Sequence, residues 1–238
     1  MNFVDAFCEA AEKIGLEFET SQIEAYRLYQ ELLIEWNQKV NLTAITQPDE
    51  IAIKHMIDSI LCYDPNVFPA ECSVIDVGTG AGFPGLPLKI FRPDLKLTLL
   101  DSLNKRLVFL QEVVNRLALK DVILVHSRAE DGARKKEHRD IYQVAVSRAV
   151  ARLNVLSELC LPYVKPGGSF IALKGLHYQE EVAGAKTAIT CLGGEIGQIK
   201  PVKLPGLDDG RAIIYITKIK ATPKNFPRRP GVPEKIPL

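Results

Sequence analysis

The chain has 238 residues, 47% hydrophobic and 25% charged, with a net charge of +1, the profile of a globular protein with enough apolar mass for a full core. No apolar run approaches the ~20 residues that cross a bilayer, and Asp5, Glu9, Glu12 and Lys13 interrupt the first apolar pattern, which argues against a signal peptide. The five cysteines (Cys8, Cys62, Cys72, Cys160, Cys191) are scattered, with no C-x-x-C pair, so they read as reduced thiols of a cytoplasmic protein and offer no metal site.

Helical spacing runs over 3–15 and 21–37, with Phe3, Phe7, Ala10, Ala11 and Ile14 forming the first stripe. Thr20 or Ser21 is the expected N-cap of the second helix, Glu24 completing a capping box. Pro48-Asp49 signals a third helix from Glu50 to Cys62, so residues 1–65 read as an N-terminal helical cap packed on the core. From Ser73 onward, short apolar strands near 73–77, 96–100, 121–126, 141–147 and 168–174 alternate with helices near 84–92, 103–118, 150–163 and 178–192. That alternation argues a mostly parallel sheet covered on both faces. Pro162, Pro166 and Gly167-Gly168 are expected to close the helix before the fifth strand. Strands near 195–204 and 211–219, joined by Pro205-Gly206-Leu207-Asp208-Asp209-Gly210, suit an antiparallel pair. Residues 66–220 thus form one α/β, Rossmann-like domain with a seven-stranded sheet and an antiparallel last strand, and 221–238 a basic, proline-rich tail. Charge is uneven: residues 1–60 carry a net −7, and Lys218 to the end a net +5, so the tail suits a polyanion.

The stretch from Ser73 to Pro87, S-V-I-D-V-G-T-G-A-G-F-P-G-L-P, places Gly78, Gly80 and Gly82 at every second position after a buried strand. Without Cβ atoms such a loop turns sharply and lets a ligand press on its backbone. Pro84 suits the first turn of a following helix, and strand, loop and helix together cradle a nucleotide-like ligand. Two ligand classes compete. Gly80, Gly82 and Gly85 satisfy the dinucleotide fingerprint G-x-G-x-x-G. Read from Gly78, the stretch is D-x-G-x-G-x-G and resembles motif I of the class I S-adenosylmethionine methyltransferases, where the acidic residue lies near the cofactor's methionine ammonium. Asp76 suits an ammonium and opposes a pyrophosphate, which favours the methyltransferase. A glycine turn without a ligand is the third reading.

Asp101 ends the second strand, where a carboxylate accepts ribose hydroxyls in either ligand class; it also suits an N-cap. After the third strand comes Ser127-Arg128-Ala129-Glu130, the loop that lies over the adenine in methyltransferase sheets; Arg128 and Glu130 alternatively form a surface pair. The fourth strand ends in Ser147-Arg148-Ala149. The N-P-P-Y run of amino-group methyltransferases and the Pro-Cys nucleophile of cytosine C5 enzymes are both missing there. What remains is an acceptor nucleophilic through its own lone pair, such as guanine N7, whose methylation needs no general base. Arg148 is then a positioning residue, gripping the cofactor carboxylate or orienting the base. His55, with Asp58 three residues on, reads first as a core or cap-to-sheet hydrogen bond. Arg134-Lys135-Lys136 with Arg139, and the tail P-K-N-F-P-R-R-P-G-V-P, read as solvated cations suited to RNA phosphates.

Taken in order, Trp36 to Thr43, Lys54-His55 to Ser59, Asp76 to Pro87, Asp101 to Arg106, Ser147 to Ala151 and Pro223 to Pro230 make the chain similar to the ribosomal small-subunit methyltransferase G family. The resemblance covers nearly the whole chain. It implies methyl transfer from S-adenosylmethionine to guanine N7 of 16S rRNA, in a loop near the decoding centre. The cofactor contacts it implies are Gly78, Phe83, Ala129-Glu130 and Arg148, which join Asp76, Gly80 and Asp101. A cytoplasmic monomer acting on 16S rRNA or the small ribosomal subunit is expected. A nicotinamide oxidoreductase, a non-catalytic RNA-binding module and a methyltransferase of another RNA, protein or small molecule are the alternatives.

Overall fold

The computed structural model describes residues 1–207 and 210–238; Asp208 and Asp209, assigned above to the turn before the last strand, lie outside the described residues. The chain opens with α1 (Phe3–Lys13) and α2 (Thr20–Asn37). Then α3 (Pro48–Ile51) runs through a π-helical stretch (Ala52–Ile57) into α4 (Asp58–Ile60). The start of α2 differs from expectation: Glu19 is its N-cap, and the Gln22 side chain accepts the Glu19 N–H at 3.1 Å. Gln22 is favoured over Glu24 because its amide also donates to the Ile90 and Phe91 carbonyls, docking the helix on the core, while Glu24 pairs with Arg27.

The domain proper alternates β1 (Ser73–Val77), α5 (Gly85–Phe91), β2 (Lys96–Asp101), α6 (Asn104–Arg116), β3 (Val122–His126), α7 (Ala129–Gly132) and β4 (Tyr142–Arg148). It continues with α8 (Leu153–Cys160), β5 (Val164–Lys174), α9 (Tyr178–Cys191), β6 (Gly194–Val202), β7 (Arg211–Lys218) and α10 (Val232–Lys235). The sheet order is β3-β2-β1-β4-β5-β7-β6. Strands β1 to β5 pair in parallel, and β7 is antiparallel to both β5 and β6, lying between them. The seven strands and the antiparallel last strand match the sequence reading. The fifth strand starts earlier than predicted: Pro166-Gly167-Gly168 lies inside β5, opposite a register shift at Tyr142/Val144. Gly168 is required there because a Cβ would strike the Gln143 carbonyl.

The cap is continuous with the core. Phe7, Tyr26, Tyr29 and Leu33 are fully buried in one cluster with Val74, Leu97 and Phe109. The other face of the sheet is covered by α8 and α9 through Leu156, Ala185 and Ile189. Tyr29 reaches furthest: its hydroxyl donates to the Ala81 carbonyl, and its ring stacks on Phe83 at 5.4 Å. Gly82, at φ +100°, has no room for a side chain, since a Cβ would meet the Tyr29 hydroxyl and, at 2.7 Å, Leu86. The helical cap therefore clamps the glycine loop from above.

Two substitutions test this clamp. Gly82→Ala should cost about 2–4 kcal/mol, from a disfavoured φ and overpacking, and Tyr29→Phe about 1–3 kcal/mol, from an unpaired carbonyl. Because the hydroxyl is the nearest obstacle, the double variant should lose about 1 kcal/mol less than the two losses combined. Urea midpoints at constant m-value give the coupling; strict additivity would show that the two groups do not meet.

Candidate active site

The sheet order reverses between β1 and β4, and ligands of open α/β sheets bind where it does so, beyond the strands' carboxyl ends. A cavity of about 800 Å³ opens there. Gly78, Gly80, Phe83, Asp101, Glu130 and Arg148 all line it, as does Ala129. Asp76 does not.

The glycines divide their work. Gly78 and Gly80 have φ of +72° and +61°, which side-chain-bearing residues avoid. The Gly78 and Thr79 N–H groups donate to the Leu100 carbonyl at 2.9 and 3.0 Å, tying the loop to β2. A Cβ on Gly80 would meet nothing within 4 Å, so that backbone is open to the cavity, while one on Gly78 would lie 2.7 Å from the Val150 side chain. Gly85, the third glycine of the dinucleotide fingerprint, lets the start of α5 rest on Asp76, whose Oδ2 would be 2.8 Å from a Cβ there.

Asp76 is fully buried beneath the loop. Its Oδ2 accepts the Thr79 hydroxyl at 2.7 Å and the Gly85 N–H at 2.8 Å, while its Oδ1 is buried with no partner among the described residues. Burial pushes the carboxyl up to about 7, against the pull of those two hydrogen bonds. Asp101, at the end of β2, is nearly as enclosed: Oδ1 accepts the Leu103 N–H at 2.9 Å, and Oδ2 accepts the Gly80 N–H at 2.9 Å and Arg106 at 3.3 Å. The N-cap of α6 is Leu103 rather than Asp101. Asp101 thus secures the helix entrance and the glycine loop at once.

Arg148 ends β4, and its guanidinium turns towards the cap. It donates to Asp58 Oδ2 at 2.7 Å, to the Lys54 carbonyl at 3.0 Å and to His55 Nδ1 at 3.1 Å, and lies 4.9 Å from the Phe83 ring centroid. His55 stacks on the same ring at 4.5 Å. With Nδ1 accepting, its proton sits on Nε2, 2.8 Å from the Thr43 hydroxyl oxygen. Burial, and then the Arg148 charge, lower its pKa to about 3, so the imidazole is neutral. His55 is thus a cap-to-sheet hydrogen bond, as its surroundings in the sequence indicate, and it also lines the cavity. The second Asp58 oxygen takes Arg211 at 3.1 Å.

Several partners escaped the reading by motifs. Asn37, inside the Trp36–Thr43 stretch but given no role there, holds the loop that carries Thr43, accepting the Leu42 and Thr43 N–H groups at 2.7 and 2.9 Å. Arg211 gave no signal, being far away in sequence. Glu130 is buried and pairs not with Arg128 but with the backbone N–H of Gly231, 2.9 Å from its Oε1. Arg134 and Arg139, read as solvated cations, instead hold the tail: Arg139 donates to the carbonyls of Thr222 (2.9 Å), Pro223 (3.2 Å) and Phe226 (2.9 Å), and Arg134 to that of Pro227. Proline-rich backbone offers carbonyls with few N–H groups to satisfy them, so guanidinium donors take that place.

Two buried groups give stability opposite pH dependences. His55 falls from an ordinary value near 6.5 to about 3, so its contribution is complete above about 6.5 and lost as pH falls towards 3. Asp76 rises from 3.8 to about 7, so its contribution is complete below about 4 and lost as pH rises through 7. Urea midpoints across pH should therefore show Asp76→Asn gaining on the parent between about pH 4 and 7 and level above. His55→Gln should lose least, relative to the parent, at the acid end. Parallel curves would show that neither group titrates as its burial requires.

Comparison with known proteins places this geometry. The family model for rRNA small subunit methyltransferase G matches residues 22–207. The ribosomal RNA small subunit methyltransferase G of Clostridium perfringens is 52% identical over 238 residues, covering all of both chains. That of Desulforamulus reducens is 49% identical over 230 residues, 97% of this chain and 96% of its own. Two solved structures share the fold. A 16S rRNA (adenine(1408)-N(1))-methyltransferase from Catenulisporales acidiphilia has a TM-score of 0.52 at 14% identity, over 64% of this chain and 90% of its own. M. jannaschii TYW2, solved in complex with AdoMet, has a TM-score of 0.54 at 13% identity, over 68% of this chain and 75% of its own. The chain belongs to the rRNA small subunit methyltransferase G family and is an S-adenosylmethionine-dependent methyltransferase of small-subunit rRNA.

Proposed function

We propose that the acceptor is N7 of a guanine in 16S rRNA, in a loop near the decoding centre, and that the methyl donor occupies the cavity beyond β1, β2, β3 and β4. The observation that carries the acceptor is the state of His55. A general base needs a free lone pair and a pKa near the working pH. The acceptor nitrogen of His55 is occupied by Arg148, and its pKa is about 3. Asp58 is committed to two arginines. A ring nitrogen with its own lone pair needs neither.

The cavity suits the donor on its own evidence: open backbone at Gly80 and acceptors at Asp101 and Glu130. S-adenosylmethionine supplies an electrophilic methyl group on a sulfonium, and the protein's task is alignment. In this reading Gly78 and Gly80 admit the donor to backbone contact, and Asp101 takes the ribose. Ala129 and Glu130 face the base. Asp76 acts through the loop it braces, and Phe83 gives the wall on which His55 and Arg148 are held. Arg148 positions that wall and transfers no proton. The exposed side chains of Lys224, Arg229 and Lys235 supply phosphate contacts for the RNA. A monomer working in the cytoplasm, on free 16S rRNA or the small subunit, accompanies this reading.

Gly78→Val should lower S-adenosylmethionine affinity by at least about tenfold, because a branched side chain at this left-handed position displaces the loop. Calorimetry on the folded variant reads the loss directly, and unaltered affinity would remove Gly78 from the site. In single turnovers at saturating donor and RNA, the methyl-transfer rate should show no rise assignable to one titrating base between about pH 6 and 8.5. A clear single-base titration in that step would require a different acceptor atom.

A further inference from the structure

We propose that the last eight residues, 231–238, are a specificity-determining wall of the donor pocket, positioning Glu130 so that it selects an amino-purine over an oxo-purine. The proposal rests on the reading that the donor's adenosine lies against Glu130. Read as sequence, this tail is a cationic arm. In the structure its backbone is bound along its length. Upstream, Arg139 and Arg134 hold the carbonyls of Thr222, Pro223, Phe226 and Pro227. Phe226 is buried in the core face beneath α8 and α9. Arg228 is then locked onto the fully buried Glu158, its Nη2 2.6 Å from Oε2 and its backbone N–H 2.7 Å from Oε1. A charge pair with one partner wholly enclosed and several hydrogen bonds is costly to open.

From that anchor the chain turns at Gly231, φ +80°, and Gly231, Pro233, Glu234 and Pro237 line the cavity. Asn154 donates to the Leu238 carbonyl at 3.3 Å, so the far end is held too. Two prolines within this short wall restrict its backbone before any ligand binds. The Gly231 N–H takes Oε1 of Glu130 at 2.9 Å, and no hydrogen bond within the described chain reaches Oε2. One carboxylate oxygen is thereby tied to the tail while the other is left as an acceptor on a side chain that lines the cavity. A carboxylate accepts the exocyclic amine of adenine and opposes the carbonyl of hypoxanthine. Buried acceptors discriminate such pairs far better than apolar contact does. Discrimination of this kind depends on the carboxylate being held still, which is the tail's part.

The test uses full-length protein and two probes, S-adenosylhomocysteine and S-inosylhomocysteine, with affinities measured by calorimetry. The parent should prefer the adenosyl probe by about tenfold or more. Gly231→Pro removes the N–H and cannot adopt the observed φ, so it frees residues 231–238 while leaving the Arg228–Glu158 anchor in place. It should bring the preference close to unity. Should that variant fold poorly, Pro233→Gly with Pro237→Gly loosens the same wall and should lower the preference in the same direction. Glu130→Gln, which can still accept from Gly231 and now offers an N–H, should shift the preference towards the inosyl probe. A preference unchanged in the wall variants, or a loss confined to 16S rRNA affinity, would overturn the inference and return the tail to an RNA-binding arm. Failure of the parent to bind S-adenosylhomocysteine at all would instead overturn the donor assignment.

Discussion

Arg148 is a cation enclosed where the sheet meets the helical cap, its side chain 13% exposed and that of its partner Asp58 only 7%. A charge so enclosed is tolerated only when paired and fully hydrogen-bonded, and removing either partner strands the other. The consequence reaches outwards from this pair. Asp58 also takes Arg211 from the start of β7, so one carboxylate joins the cap, the end of β4 and the antiparallel strand. His55 has to be neutral, because its acceptor nitrogen serves the same guanidinium, and both groups pack on the Phe83 ring. The acidic character of the first sixty residues has a local meaning here: the cap brings a carboxylate to a cationic strand end.

The glycine loop is held from three sides by one tyrosine hydroxyl and two buried carboxylates. Tyr29 grips Ala81 from the cap, Asp101 takes the Gly80 N–H from β2, and Asp76 receives Thr79 and Gly85 from beneath. Three of these contacts satisfy backbone groups that the sharp turn would otherwise leave unpaired, at Gly80, Ala81 and Gly85, and the fourth takes the Thr79 hydroxyl. The open, positive-φ backbone at Gly80 is thus paired with a rigid frame, which is what close approach of a ligand to backbone requires. Asp76 carries the cost: its second oxygen is buried without a partner among the described residues, and its carboxyl is driven up to about 7. Local destabilisation of this kind belongs to sites where something other than stability is being served.

Much of this was legible in the residues, and what was not shares a cause. Alternating strands and helices, the seven strands and the antiparallel last strand follow from hydrophobic period and turn residues, which are local. So do the ends of β1, β2, β3 and β4, where Gly78, Asp101, Ala129-Glu130 and Arg148 converge. Placement of β7 between β5 and β6 is not local, and nothing in either strand announces it. The capping box moved from Ser21–Glu24 to Glu19–Gln22 because Gln22 has a distant use, on the carbonyls that end α5. Arg134 and Arg139 look like solvated cations until the tail is seen to bring them carbonyls from some ninety residues away. Composition read the tail's side chains correctly as cationic and missed that its backbone is committed.

The division between side chain and backbone in the tail bears on how an enzyme of the proposed mechanism would act without a base. If no group removes a proton, selectivity and rate depend on geometry alone, and geometry is held by order paid for before binding. The structure shows that order at every wall: a stacked ring and buried cation on one side, a braced glycine loop at the floor, and a proline-stiffened segment on the other. The tail contributes its backbone to this frame, while Lys224, Arg229 and Lys235 remain exposed on the same segment. A strand of RNA engaging those side chains would therefore press on an element that also lines the donor cavity. On the proposed reading, donor site and RNA surface share one stretch of chain, and alignment of the methyl donor with its acceptor would follow from their sharing it.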